Sequence, residues 1–127
     1  MDGGAARSTK FPPGLAEWQK RRILRHVSEN LGLSIRIENL ASLAGLSVSY
    51  FSRRFRSSFG VAPGQYVRLG RLEHAKSLLR QTASPLCQIA VASGFSDQSH
   101  MSRAFQAVVG STPARWRRDG KPNPAPD

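Results

Sequence analysis

At 127 residues with 39% apolar residues, the chain is long enough for one ordinary domain or two small helical lobes. Lys+Arg outnumber Asp+Glu by 19 to 8, a formal charge of +11, which points to a polyanionic partner: nucleic acid or an anionic membrane surface. A single cysteine, Cys87, excludes an internal disulfide framework and a Cys-rich zinc site. No apolar run approaches the ~18 residues of a membrane span, and the N-terminus lacks the apolar centre of a signal peptide. The expectation is a cytoplasmic protein, and in a bacterium the cytoplasm is where the chromosome lies.

Residues 1–14 are small, polar and aperiodic, and are expected to form a disordered lead-in. Leu15, Trp18, Ile23, Val27 and Leu31 make an apolar stripe that predicts a first helix over Leu15–Leu31, ended by Gly32. Ile37, Leu40, Ala41 and Ala44 recur at spacings of three and four and predict a short second helix, with Arg36, a poor capper, at its start. Gly45 suits the left-handed turn that closes it. Ser47 is a good N-cap for a third helix, in which Phe51, Phe55 and Phe59 form one apolar face. Ser49, Ser52, Arg53 and Arg56 lie on the opposite side, and Gly60 stops the helix.

Pro63–Arg80 is expected to be a longer helix of roughly 25 Å, with Tyr66, Leu69, Leu72, Ala75 and Leu78/Leu79 on one side. Ser84 as cap and Pro85 as first residue open the next helix, with Leu86, Ile89, Ala90 and Cys87 packed inward. After the turn at Gly94, Ser96 or Asp97 caps a sixth helix over Gln98–Val109. Met101, Phe105 and Val108/Val109 are its core side; Gln98, Ser99, Ser102 and Arg103 are its outer side. Thr112-Pro113 starts a last short helix that packs Trp116 back, and a proline-rich tail is expected from Asp119.

Part of this pattern occurs twice. At an offset of 49, Leu40, Ala41, Gly45, Leu46 and Ser47 match Ile89, Ala90, Gly94, Phe95 and Ser96. One residue is inserted after Ser96. At an offset of 50, Phe51, Ser52, Arg53, Phe55, Gly60, Pro63, Tyr66 and Arg68 then match Met101, Ser102, Arg103, Phe105, Gly110, Pro113, Trp116 and Arg118. Such self-similarity marks a duplicated supersecondary unit. The recurrence of the outward Arg53 as Arg103 is not something packing requires. A short helix, a glycine turn and a second helix with an Arg/Ser face is how a helix-turn-helix is built.

The stretches LASLAGLSVSYFSRRFRSSFGVAPGQYV, RLEHAKSLLR and PLCQIAVASGFSDQSHMSRAFQAVVGSTPARWR together resemble the DNA-binding domain of the AraC/XylS family of bacterial transcription regulators, from about Leu15 to Arg118. The resemblance implies an all-α fold of seven helices: two helix-turn-helix subdomains, residues 15–62 and 81–118, joined by a long connecting helix over 63–80, with residues 119–127 as tail. It implies two recognition helices inserted into adjacent major grooves. Carried over by position, Val48, Ser49, Ser52 and Arg53 on the first, and Gln98, Ser99, Ser102 and Arg103 on the second, would face bases. Arg56, Arg71, Ser96 and Asp97 would lie near the phosphates. Three positions depart from the family: Met101 stands where an aromatic is more usual, Arg36 where a small polar cap is, and Ser49 where some members carry a large reader. The effector or dimerisation domain usual in the family does not occur in these residues.

Arginine suits bidentate contacts to guanine O6 and N7, and Gln98 could read adenine in the same way. The partners expected are double-stranded DNA at promoters or operators, with RNA polymerase as a second candidate, no membrane and no small-molecule site. No cofactor, metal or catalytic residue is expected. Cys87 on an apolar face reads as an inert thiol, and no paired carboxylates, Gly-rich phosphate loop or metal-ligand cluster accompanies His26, His74 and His100. Membrane-surface binding would need broad exposed apolar faces, and RNA recognition an aromatic stacking platform; neither is legible.

Overall fold

The computed structural model describes residues 13–120, which form seven α-helices and no strand. These are α1 (Glu17–Glu29), α2 (Ile37–Ala44), α3 (Val48–Phe59), α4 (Pro63–Gln81), α5 (Leu86–Ala92), α6 (Gln98–Val109) and α7 (Pro113–Gly120). The all-α, seven-helix expectation is met. The described residues divide into two compact units, one holding residues 13–30 and 34–68, the other residues 31–33 and 69–120. The division falls inside α4, and residues 31–33, shortly after α1, cluster with the second unit.

In the first unit α2 packs against both α1 and α3. Ile23, Val27, Leu40, Ala41, Ala44, Phe51 and Phe55 are buried. The aromatic face foreseen for α3 is joined by Tyr66 of α4: the rings of Phe59 and Tyr66 lie 4.4 and 5.5 Å from that of Phe55. The stripe of α1 differs from expectation. Trp18 is 49% exposed with the Arg22 guanidinium over its ring, whereas Gln19 is buried. Gln19 tolerates burial because both ends of its amide are bonded: Oε1 accepts from the Ala16 N–H and Nε2 donates to the Ala44 carbonyl, each at 2.8 Å. Helix α1 is also shorter than the stripe suggested, ending at Glu29.

In the second unit Leu72, Ala75, Leu79, Ile89, Ala90, Phe95, Met101 and Phe105 form the core, with Trp116 packed against it. Met101 is fully buried, so its aliphatic chain fills the place of the usual aromatic. Three expectations fail here. Cys87 is exposed, because Leu86, Ile89 and Ala90 complete the inner face of α5 without it. Ser84 does not cap α5; Pro85 occupies the cap position with no side-chain hydrogen bond. Asp119 belongs to α7, which runs to Gly120, and the rest of the foreseen tail and of the lead-in lies outside the described residues, save Pro13 and Gly14.

Candidate nucleic-acid interface

Each unit carries one copy of the duplicated motif, and the backbone repeats with the sequence. Gly45 and Gly94 have φ of 72° and 92°, Gly60 and Gly110 of 80° and 86°, so both turns and both helix stops use the left-handed region. Helices α3 and α6 are both 12 residues long. In each the fourth and eighth residues are buried, Phe51 and Phe55 in one, Met101 and Phe105 in the other. The helical period then places the second and sixth residues outward: Ser49 and Arg53, Ser99 and Arg103, all exposed. Val48 and Gln98 are exposed at the first position, and Ser52 and Ser102 are half-buried at the fifth. The eight residues foreseen as base-facing thus form two equivalent sets, one per unit, none of them in a core.

The inserted residue changes the start of the second helix. Ser47 caps α3 by accepting from the Tyr50 N–H at 3.2 Å. Its sequence match, Ser96, lies one residue ahead of the cap of α6, and Asp97 caps instead, accepting from the His100 N–H at 2.7 Å. The carboxylate also complements the positive end of the helix dipole. Ser96 bonds to His100 Nδ1 through its hydroxyl, at 3.1 Å, and its N–H, at 3.4 Å.

Two of the four residues expected near phosphates, Asp97 and Arg71, have intramolecular partners in the structure. Asp97 is an anion, and its carboxylate is the cap of α6. Arg71 is half-buried, with Nε donating to the Leu31 carbonyl at 3.1 Å and Nη2 to that of Leu33 at 2.8 Å. Burial lowers its pKa from the ordinary arginine value, but a guanidinium starts so high that it stays charged. Arg71 clamps the residues after α1 onto its own unit. Arg56 and Ser96 are exposed.

Sequence reasoning missed a group around Tyr50. Arg54 donates from Nη2 to the Tyr50 hydroxyl at 2.7 Å and from Nη1 to the Gly14 carbonyl at 3.0 Å. Its guanidinium lies 4.6 Å from the Tyr50 ring centroid, and that of Arg53 lies 5.7 Å from the same ring. The signal was present as Tyr50, Arg53 and Arg54 at helical spacings of three and four. Among the described residues no group of His, Cys, Asp and Glu could hold a metal ion, and no helix is long and apolar enough to cross a membrane.

Two successive helix-turn-helix units on one chain, each with an outward arginine at the sixth position of its second helix, define a double helix-turn-helix fold. A family model described as a helix-turn-helix domain matches residues 40–119. The chain is 38% identical over 92 residues to the probable transcriptional regulator LumQ of Photobacterium leiognathi, and 34% identical over 101 residues to the transcriptional regulator Rob of Salmonella typhimurium. These alignments cover 72% and 80% of this chain but only 37% and 35% of those proteins, so the chain spans about a third of their length. The Tn10 TetD protein of Escherichia coli, 32% identical, is covered over 70% of its length.

Among solved structures, the DNA-binding domain of AdpA in complex with a target DNA superposes with a TM-score of 0.75 at 30% identity, covering 78% of this chain and 89% of that one. An AraC-type regulator from Chromobacterium violaceum gives 0.77 at 26% identity, covering 84% and 96%. The chain belongs to the AraC-type helix-turn-helix family of transcriptional regulators. These relatives are regulators, not enzymes.

Proposed function

We propose that this chain binds double-stranded DNA sequence-specifically, as a bacterial transcription regulator or the DNA-binding part of one, by inserting α3 and α6 into adjacent major grooves. The observation that carries this is the equivalence of the two outward faces: Arg53 and Arg103 occupy the same position of equal-length helices and are both exposed. Packing does not select arginine there, whereas guanine does, through O6 and N7. A net charge of +11 supplies the attraction to the duplex. The likeness to the AdpA domain, whose structure contains a target DNA, supports the same partner.

In this proposal Arg53 and Arg103 read bases bidentately, Gln98 pairs with adenine, and Val48, Ser49, Ser52, Ser99 and Ser102 complete the two faces. Arg56 and Ser96 approach phosphates. Helix α4 connects the two reading units, and the chain acts in the bacterial cytoplasm, on the chromosome. RNA polymerase is the second partner, since a regulator on a promoter acts on the enzyme that uses it.

Insertion into adjacent grooves sets the half-sites about 10–10.5 base pairs apart, centre to centre. Selection of bound sequences from a random duplex pool is expected to return two motifs at that spacing. One motif alone, or two at a spacing off the helical repeat, would overturn the two-groove arrangement; no enriched motif would overturn sequence-specific binding.

A further inference from the structure

The two outward arginines stand in unlike surroundings, and the difference centres on Tyr50. This residue is third in α3 and 38% exposed, so its ring is not there to fill the core. Arg53 and Arg54 follow it at the two spacings at which helical side chains meet. Arg54 is not a solvated surface charge. It bonds the Tyr50 hydroxyl and the Gly14 carbonyl, and its Nε is buried without a hydrogen-bond partner. The segment it grips is held a second time, where the Leu15 N–H donates to Ser58 Oγ at 2.7 Å. An ordered line thus runs from the start of the described chain through Arg54 to the Tyr50 ring, and the Arg53 guanidinium lies within cation–π reach of that ring.

We propose that Tyr50 is a positioning residue: fixed by Arg54, its ring holds Arg53 in the orientation from which it reads a base. This rests on the base-reading function proposed above. A guanidinium on a long flexible stem loses rotamer freedom when it docks, and a side chain already held loses less. Restricting Arg53 beforehand both favours the correct base and narrows the geometries through which a wrong one could be accommodated. Helix α6 lacks the device. His100 stands where Tyr50 does, but its ring lies edge-on to Phe95 and its Nδ1 is bonded to Ser96. Ala104 stands where Arg54 does. The asymmetry is therefore a property of the first unit's side chains and not of the shared backbone.

Two measurements on the full 127-residue chain test this. The first is 15N relaxation of the arginine Nε–H groups without DNA. Tyr50→Leu and Arg54→Ala are expected to loosen Arg53 while leaving Arg103 unchanged, and Tyr50→Trp, which restores a ring, to keep Arg53 ordered. The second is duplex-pool selection. Arg53→Ala identifies the base pair that Arg53 reads; Tyr50→Leu is expected to weaken preference at that pair about 2- to 5-fold, the size of an exposed cation–π contact. It should add nothing in an Arg53→Ala background, and Tyr50→Trp should retain the preference. An Arg53 unmoved by Tyr50→Leu would overturn the positioning role, as would an equal loss at both half-motifs, which is what general damage produces. If Arg53 loosens as expected but the unaltered chain selects no motif, base reading by α3 is wrong and the specificity claimed for Tyr50 falls with it.

Discussion

The two helix-turn-helix units reach one backbone by different side-chain routes. In the first, Tyr66 closes an aromatic stack with Phe55 and Phe59, and a buried Val67 follows it. In the second, the matching pair is Trp116 and Arg117. Trp116 lies 5.7 Å from Phe105 with the Arg80 guanidinium over its outer face, and Arg117 donates to the carbonyls of Leu79, Thr82 and Ser84. An apolar plug in one unit is a polar staple in the other. The comparison teaches that the duplicated elements are the turn glycines, the inward fourth and eighth positions and the outward arginine. What surrounds them is free to differ, and the chemistry presented to a partner differs with it: α3 exposes Arg53 and Arg56 behind a neutral cap, α6 only Arg103 behind an acidic one.

The sharpest way to break the equivalence is at the turn glycines. A Cβ on Gly94 would overlap the Leu31 carbonyl and crowd the Arg71 side chain at a φ of 92°, whereas one on Gly45 would meet nothing within 4 Å. Gly94→Ala is therefore expected to destabilise its unit by about 2–5 kcal/mol, strain and overlap together. Gly45→Ala is expected to cost only about 1–2 kcal/mol, from backbone strain. Chemical denaturation of both variants checks this; equal losses would mean that the packing of residues 31–33 against Gly94 is not as described. Arg117→Ala comes next. It removes three hydrogen bonds from part-buried carbonyls and is expected to lower stability by about 2–4 kcal/mol. Arg117→Lys should recover little of this, since one ammonium cannot span the same fork.

On the DNA side, Arg103→Ala is expected to cost about 1–3 kcal/mol of discrimination at one base pair. A loss that is uniform over all sequences would instead make Arg103 a phosphate contact. The smallest effects lie at the caps. Ser47→Ala should cost about 1 kcal/mol of stability, read by thermal unfolding. Asp97→Asn should cost only about 0.3–1 kcal/mol, because asparagine caps as well as aspartate and only the charge–dipole attraction is lost. It should also tighten binding to any duplex modestly by removing an anion from the α6 N-terminus. Titration against unrelated duplexes checks it, and weaker binding would mean that Asp97 contributes to the DNA contact after all.

Much of this molecule could be read before any fold was known, because the signals are local. Phe51, Phe55 and Phe59 state the inner face of α3 by spacing alone, and Gly45 and Gly94 mark the turns because few other residues accept a positive φ. The duplication was legible because one backbone demands the same residues at the same places, and Arg53 and Arg103 stood out because that demand does not extend to them. What failed locally was decided by distant partners. Gln19 is buried and Trp18 exposed because the Ala44 carbonyl, far along the chain, supplies the hydrogen bond that burial requires. Arg71 reads as a free cation until the Leu31 and Leu33 carbonyls are brought to it. Cys87 reads as core until its neighbours on α5 fill the inner face. Periodicity and turn chemistry act within a few residues and so are written in the chain. The burial of a polar group depends on which carbonyl arrives from elsewhere, and only the tertiary fold settles that.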